Sequence, residues 1–159
     1  MYNTSYRILN NAADAEDIMQ DSFMDAFRKI GDYSGEGSFA GWLRRIVVNN
    51  SIDALKKKKE LVPLEEKDLG IEPDELTKMN ERENTAEYRV DEIKKAISKL
   101  PDDARVIISL YLLEGYDHEE SSQILDISYN AARTRYSRAK NKLINMLNEQ
   151  RKMKMFNPN

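Results

Sequence analysis

Apolar residues recur at spacings of three and four through both ends of this chain, and that helical period most constrains its fold. The period is lost over residues 60–89, which include Pro63, Gly70 and Pro73. Only 6 Gly and 4 Pro occur among the 159 residues, which disfavours turn-rich all-β folds. We therefore predict an all-α protein of two small helical domains joined by a flexible acidic linker.

The expected domain boundaries follow from this loss of period. The first helical domain is predicted at residues 1–59, the linker at 60–89 and the second helical domain at 90–150, with a tail at 151–159. Hydrophobic residues make up 40% and charged residues 33%, which fits two small domains with large solvated faces better than one deep core.

The formal net charge of −3 hides a segregation of charge along the chain. Residues 61–92 carry 11 acidic and 4 basic side chains, whereas residues 93–159 carry 8 acidic and 12 basic ones. Because a DNA phosphate responds to the local field, the C-terminal block is a candidate for nucleic-acid binding despite the acidic total.

A long N-terminal helix is predicted to begin near Asp14 and to end at Gly31. Asp14 stands where an N-cap would, and Asp17 three residues later gives a pattern close to a capping box. The predicted core face consists of apolar residues at helical spacing: Ala15, Ile18, Met19, Phe23, Ala26, Phe27 and Ile30.

The outer face of that helix carries Asp17, Gln20, Asp21 and Met24. Acidic side chains in a first helical turn are explained by the helix dipole alone. Asp21 and Asp25 lie beyond the first turn, so a protein-binding face and a merely solvated face are both open interpretations.

The next helix is predicted from Ser38, which can cap it, to a run of four lysines at residues 56–59. Its predicted buried stripe is Phe39, Trp42, Leu43, Ile46, Val47, Ile52 and Leu55, with Trp42 expected in the core. Four adjacent lysines exceed the one or two cations that would complement the negative end of the helix dipole. The glycine-rich loop at residues 31–37 could receive an unpaired base, because small residues let the backbone approach closely.

The C-terminal block predicts a helix–turn–helix. A short helix over His118–Leu125 and a turn at 126–128 precede a long basic helix from about Tyr129 to Glu149. The inward face of the long helix is predicted to be Ala132, Tyr136, Ala139, Leu143 and Leu147. Its outward face is predicted to be Asn130, Arg133, Thr134, Ser137, Arg138 and Asn141.

Charge favours a DNA-facing role for this helix over a solvated face in an ordinary bundle. Residues 129–148 hold five basic side chains and no acidic one. Arg133 lies in the N-terminal turns and is the first candidate for a base contact, while Arg138, Lys140 and Lys142 are candidates for phosphate contacts.

Catalytic and metal chemistry is disfavoured by the residue content. The absence of cysteine excludes disulfides and thiolate metal sites, and the single histidine, His118, cannot form a histidine pair. The sequence also lacks a phosphate-cradling glycine motif and a nucleophile elbow. No apolar run approaches the roughly 20 residues of a membrane span. We expect a cytoplasmic protein that is not an enzyme, has no cofactor and does not insert into membranes.

Three groups of residues, taken in chain order, resemble the extracytoplasmic-function (ECF) sigma factors of bacterial RNA polymerase. Residues 14–27 resemble the second-region helix, and residues 35–46, continuing to Asn49 and Asp53, resemble the element that melts and reads the −10 DNA. The fourth-region DNA-binding domain is resembled by Leu100-Pro101, Leu112–Gly115, Glu119-Glu120 and Ile124–Ser128. The joint order over nearly the whole chain is more specific than any single group.

The resemblance implies promoter recognition without catalysis, because the polymerase performs the chemistry. The implied partners are core RNA polymerase, through its β′ clamp and β flap, promoter DNA and an anti-sigma factor. The residues implied to bind polymerase are Asp17, Gln20, Asp21 and Met24. Those implied to hold the −10 DNA are Tyr33, Ser34, Ser38, Arg44, Asn49, Lys56 and Lys57. Those implied to hold the −35 DNA are Asn130, Arg133, Thr134, Ser137, Arg138, Lys140 and Lys142.

Several positions depart from the family pattern. The family has further helical residues before the position of Met1, so a segment is expected to be missing from the start. Ser121 and Ser122 stand where the family usually has Ile and Ala, which predicts weaker packing of the short helix and a gain in thermal stability from Ser122→Ala. Asp126 replaces the usual turn glycine, at a conformational cost. We therefore expect weak or altered −35 recognition, assisted by a further recruiting factor.

Two interpretations from other classes stay open. A dimeric helix–turn–helix regulator accounts for the C-terminal half but not for the helix over Ser38–Lys59, and it predicts self-association on a palindromic site. A pure interaction protein whose basic helices bind acidic partners predicts no dependence on DNA sequence.

Overall fold

The computed structural model describes residues 1–61 and 89–156, and all the regular structure in these ranges is helical. The chain divides into two compact units, one within residues 1–65 and the other within residues 66–159. The predicted all-α class is confirmed, while most of the predicted linker lies outside the described residues. No helix in the described ranges has the length and apolar character needed to cross a membrane.

The N-terminal unit is a three-helix bundle. Its elements are α1 (Tyr2–Leu9), α2 (Ala12–Arg28), a short 3-10 helix (Ile30–Asp32) and α3 (Phe39–Leu61). Each of the three α-helices packs against the other two, around the fully buried Ile8, Val47 and Val48. Small polar residues fill the closest helix approaches, where the hydroxyls of Ser5 and Ser51 lie 3.0 Å apart.

The start of α2 differs from the prediction. Asn11, not Asp14, is the N-cap, and its side-chain oxygen accepts a 3.0 Å hydrogen bond from the Asp14 backbone N–H. The reason is that α2 begins at Ala12, so Asp14 is the third helical residue and supplies the backbone donor.

The predicted core face of α2 is partly wrong. The buried residues are Ala15, Ser22 and Ala26, which are small enough to let α1 and α3 approach closely. Phe23 is 39% exposed and Phe27 is 75% exposed. A helix in a three-helix bundle buries only an arc of its surface, and the two phenylalanines lie outside that arc. Ile30, which is 52% exposed, lies beyond the end of α2 in the 3-10 helix.

The buried stripe of α3 is confirmed along most of its length but not at its start. Leu43, Val47, Val48, Ile52 and Leu55 are buried. At the start of the helix, Phe39 is 45% exposed and Trp42 is only half-buried, so the prediction that Trp42 belongs to the core is wrong. Both rings pack against Tyr33 of the preceding loop instead of entering the core.

The C-terminal unit comprises α4 (Val90–Ser98), α5 (Asp102–Ile108), a π-helical segment (Ser109–Leu113), α6 (His118–Leu125) and α7 (Tyr129–Phe156). Its core joins α4, α5 and α7 through eight buried side chains: Ala96, Ile97, Leu100, Ile107, Ile108, Ala139, Leu143 and Leu147. Arg105 is buried beside them, with one guanidinium nitrogen 2.6 Å from Asp102 and another donating to the Leu100 carbonyl at 3.3 Å.

The long helix α7 continues to Phe156, seven residues beyond the predicted end at Glu149 and into the predicted tail. A tertiary contact holds the extension, because Lys154 lies 2.6 Å from Glu92 on α4. This ion pair and the hydrogen bond within it lower the pKa of the Glu92 carboxyl. Sequence period could not show this contact, since the two residues are far apart in the chain.

Candidate nucleic-acid interface

The helix–turn–helix of the C-terminal unit is closed by local hydrogen bonds. Asp117 and Glu120 form a capping box at the start of α6, in which each side chain accepts from the other residue's backbone N–H, at 2.8 and 3.0 Å. Asp126 ends α6 in the left-handed conformation (φ 55°), and the Ser128 side chain accepts from the Ala131 N–H at 3.1 Å to begin α7. These caps define both ends of α6 and the start of α7.

The predicted inner face of α7 is confirmed, and the predicted outer face is exposed only in part. Ala132, Ala139, Leu143 and Leu147 are buried, and Tyr136 is half-buried beside them. Asn130, Arg133, Arg138 and Lys140 are exposed, whereas Thr134, Ser137, Asn141 and Lys142 are half-buried. Four of the seven candidate −35 residues are therefore open to solvent along one helix, which carries five cations over residues 129–148.

An acidic stripe lies on the N-terminal unit. The four candidate polymerase-binding residues of α2, Asp17, Gln20, Asp21 and Met24, are all exposed and are spaced to share one face. Two other acidic residues of this helix are engaged internally, since Asp14 pairs with Lys58 at 2.5 Å and Asp25 accepts from the Asn50 side chain at 3.0 Å.

Three rings form an aromatic group where the glycine-rich loop meets α3. The ring centroid of Tyr33 lies 5.6 Å from that of Phe39 and 5.5 Å from that of Trp42, and Phe39 and Trp42 are 5.5 Å apart. The Tyr33 hydroxyl donates to the Gly37 carbonyl at 2.9 Å, and Gly37 has a positive φ of 74° that favours glycine. The loop is thus folded against partly exposed rings.

The two candidate serines of this loop each accept a hydrogen bond from a backbone N–H two or three residues further along the chain. The Ser34 hydroxyl oxygen accepts from the Glu36 N–H at 3.3 Å, and the Ser38 oxygen accepts from the Gly41 N–H at 3.0 Å. The second bond confirms the prediction that Ser38 caps α3. Both hydroxyl groups are exposed and keep a proton that can be donated.

The outer face of α3 continues this surface. Trp42, Asn49 and Lys56 are spaced by seven residues and lie in one line along the helix, with Asn49 and Lys56 exposed. Lys57 and Arg44 are exposed as well, but Arg44 lies about 140° around the helix from Asn49 and so is not on the face of that line. Arg45 is exposed and shares the face of Asn49, four residues on. The candidate set omits Arg45, although its spacing to Asn49 could have revealed it.

Within residues 1–61 and 89–156, no group of three or more His, Asp or Glu side chains could hold a metal ion. The surfaces found in this part of the chain are instead extended and charged, and they suit macromolecular partners.

Family models for Sigma-70 region 2 and Sigma-70 region 4 match residues 1–60 and 91–143 respectively. The chain is 30% identical to the ECF RNA polymerase sigma factor SigW of Bacillus subtilis (strain 168), covering 94% of this chain and 83% of that protein. It is 29% identical to SigE of Mycolicibacterium smegmatis, over 90% of this chain and 55% of that protein.

A solved structure shares the fold. The sigma factor RpoE of Bartonella quintana, solved in complex with the anti-sigma factor NepR, matches with a TM-score of 0.61 and 22% identity, over 92% of this chain and 89% of that one. Region 2 precedes region 4 in the chain, as the N-terminal unit precedes the helix–turn–helix, and the relative SigW matches across both units. The chain therefore belongs to the ECF family of RNA polymerase sigma factors, and its function is that of a sigma factor in transcription initiation.

Proposed function

We propose that this sigma factor acts through three surfaces: the acidic stripe of α2 on core RNA polymerase, the aromatic loop and outer face of α3 on the −10 DNA, and the outward face of α7 on the −35 DNA. The chain supplies recognition and no catalytic step in this proposal, and it acts in the cytoplasm with the polymerase. The observation that carries it is the segregation of one acidic and two cationic surfaces within the two matched family regions.

The α2 stripe is assigned to the clamp of the β′ subunit. Asp17 and Asp21 are exposed one helical turn apart and form no ion pair with any other residue in the described ranges. Met24 is 55% exposed and adds an apolar contact at the end of the stripe. An acidic face with an apolar end suits a basic partner helix, since complementary charge selects the partner and apolar area adds affinity.

The aromatic group and α3 are assigned to the single-stranded −10 element. Partly exposed rings offer stacking surfaces for an unpaired base, and base–aromatic stacking contributes about 1–3 kcal/mol per base. The loop at Tyr33, Ser34 and Ser38 would receive the base, while Asn49, Lys56 and Lys57 would hold the strand that carries it, and Arg44 would reach the DNA from another side of α3. Lys56 and Lys57 extend the cationic surface away from the loop.

The outward face of α7 is assigned to the major groove of the −35 element. Asn130, Arg133 and Thr134 lie in the first two turns, which are the turns that meet base edges in helix–turn–helix proteins. Ser137, Arg138, Lys140 and Lys142 follow along the helix and suit phosphates, which set the register. The same unit would contact the β flap of the polymerase.

Regulation by sequestration is part of the proposal. RpoE of Bartonella quintana was solved with the anti-sigma factor NepR. By analogy, we infer that an anti-sigma factor holds this chain away from the polymerase. The weaker −35 recognition expected from Ser121 and Ser122 leaves room for an additional recruiting factor at promoters.

The decisive experiment is run-off transcription with bacterial core polymerase on a library of random promoters, with and without the chain. Defined start sites that need the chain, and that are lost with Asp17→Lys and Asp21→Lys, support the proposal. The control is Glu16→Lys, an equal charge reversal on the same helix that lies about 100° around from Asp17 and about 140° from Asp21, at the Gln20 edge of the stripe. Equal loss from the control would show a general charge effect rather than a specific α2 surface.

The dimeric regulator leaves the region 2 match over residues 1–60 unexplained and is not favoured. Sequence-specific binding by a dimer, without new start sites, would reinstate it and reject the three-surface proposal.

A further inference from the structure

Four rings meet on the inner side of the helix–turn–helix, in a cluster formed by Tyr111, His118, Tyr129 and Tyr136. His118 stacks on Tyr111 with centroids 4.7 Å apart and planes 25° from parallel. It meets the ring of Tyr136 at 5.1 Å and, edge to face, that of Tyr129 at 6.3 Å. Tyr111 and Tyr136 are themselves 4.3 Å apart. His118 thus contacts every other ring of the cluster.

The cluster joins three elements that are each held by their own backbone bonds. Tyr111 belongs to the π-helical segment, which closes with a 3.0 Å bond from the Glu114 N–H to the Ser109 carbonyl. His118 is the first residue of α6 and follows the capping box directly. Tyr129 is the first residue of α7. Because the π-helical segment and the start of α6 are held by local bonds, the rings of Tyr111 and His118 offer a fixed surface against which the first turns of α7 pack.

Two rings of the cluster belong to the part of α7 that carries the candidate base contacts. Tyr129 and Tyr136 are seven residues apart on the same side of α7, and they bracket Asn130, Arg133 and Thr134. At about 100° per residue, Thr134 lies roughly 160° and Asn130 roughly 120° around the helix from Tyr136, whereas Arg133 lies only about 60° from it. The rings therefore pack on one side of the first two turns, next to Arg133, and leave Asn130 and Thr134 on the other side.

We propose that His118 is a positioning residue for promoter recognition: its ring sets the orientation of the first two turns of α7, and through them the discrimination of the −35 sequence, without touching DNA. The inference rests on the proposed −35 role of α7. Burial raises the pKa of the Tyr136 hydroxyl, with a smaller contribution from Tyr111, which agrees with close packing of these rings. Ring shape rather than ring charge is the property that matters, so phenylalanine should replace histidine and alanine should not.

The test measures a ratio of run-off transcripts from two promoters that share one −10 element and differ only in an intact or scrambled −35 element. His118→Ala is expected to lower the intact-to-scrambled ratio at least about fivefold, near the low end for losing one base contact. His118→Phe should keep the ratio within about twofold of the wild type. Circular dichroism at the assay temperature must show both variants folded, so that unfolding does not account for the change.

A spectroscopic readout is available because His118 is the single histidine in the chain. Its ring protons give unambiguous NMR signals, and stacking on Tyr111 should shift them upfield of their positions in the urea-unfolded chain. Tyr111→Leu should remove most of that shift and also lower the promoter ratio. Unshifted His118 signals in the folded wild-type chain would overturn the proposal.

Arg133→Ala separates this inference from the function on which it rests. If Arg133→Ala lowers the ratio but His118→Ala does not, positioning by the ring is rejected and the −35 role of α7 stands. If Arg133→Ala leaves the ratio unchanged, the −35 role itself fails and the positioning proposal fails with it. A lower promoter ratio in both Arg133→Ala and His118→Ala, with the ratio restored in His118→Phe, supports the −35 role of α7 and the positioning role of His118.

Discussion

The Nζ atom of Lys58 lies 2.5 Å from Oδ2 of Asp14, and this ion pair joins the end of α3 to the first turn of α2. One member of the four-lysine run is therefore used inside the N-terminal unit. Lys56 and Lys57 are exposed and form no ion pair within the residues that the structure describes. The run thus contains lysines with different roles.

We predict that Lys56→Gln combined with Lys57→Gln weakens promoter binding by the holoenzyme and reduces the slope of log K against log salt by about 1–2, since each phosphate contact contributes about 1. Lys58→Gln is the matched control and should leave the salt slope unchanged. Filter binding over a range of salt concentrations measures both. An equal fall in slope for Lys58→Gln would contradict the distinction between these lysines.

The capping of α2 gives a second prediction. Asn11→Ala should destabilise the N-terminal unit by about 1 kcal/mol, because the Asp14 N–H loses its acceptor. Asn11→Asp should keep nearly full stability, since the two residues cap comparably. Asp14→Ala removes only an exposed ion pair, which contributes about 0–1 kcal/mol. Urea unfolding followed by circular dichroism compares the three variants, and a larger loss from Asp14→Ala than from Asn11→Ala would be inconsistent with the cap assigned here.

The two serines of α6 are predicted to behave differently. Ser121 is fully buried, and its hydroxyl has no hydrogen-bond partner among the described residues, whereas the Ser122 hydroxyl donates to the Glu119 carbonyl at 2.7 Å. Ser121→Ala should therefore stabilise the C-terminal unit by about 1 kcal/mol by removing an unsatisfied polar group. Ser122→Ala loses a bond that offsets the higher helix propensity of alanine. The sequence alone predicted a gain in stability from Ser122→Ala, whereas the hydrogen bonds in the structure predict that gain for Ser121→Ala instead.

Thermal unfolding of the two variants measures that difference, which should be roughly 4–8 °C for a gain of about 1 kcal/mol in a unit of this size. The hypothesis of weak packing at Ser121 fails if its alanine variant unfolds at a lower temperature than the wild type.

The stability of the C-terminal unit should depend on pH through the hydroxyl of Tyr136. Burial first, and then Tyr111, raise the pKa of its hydroxyl above the ordinary 10.0. The neutral phenol is therefore favoured in the folded state, so its contribution to stability is present below pH 10 and is lost as the pH rises through the folded-state pKa. Melting temperatures between pH 8 and pH 11 should fall less steeply for Tyr136→Phe than for the wild type. An equally steep fall for Tyr136→Phe and the wild type would contradict this assignment.

Local signals in the chain were sufficient to predict much of this architecture. Ser38 was identified as a cap from its position before an apolar stripe, and the family resemblance indicated the left-handed conformation of Asp126, which stands where the usual turn glycine would be. The inner and outer faces of α7 were also predictable, because helical period assigns Leu143 and Arg138 to opposite sides without knowledge of the partner helices. The candidate DNA and polymerase residues were nominated by charge and by resemblance, and their contacts stay predictions.

The sequence by itself determined the helical class, the order of the two units and the charged faces, because helical period and capping act over a few residues. Only the tertiary structure decided which apolar residues are buried. Phe27 and Trp42 fit an apolar stripe as well as Val47 does, yet Phe27 is largely exposed and Trp42 half-buried, since burial depends on where neighbouring helices reach. The same holds for the Lys154–Glu92 ion pair, which joins two helices distant in the chain, and for the ring cluster around His118, which depends on how three consecutive helical elements fold back on one another.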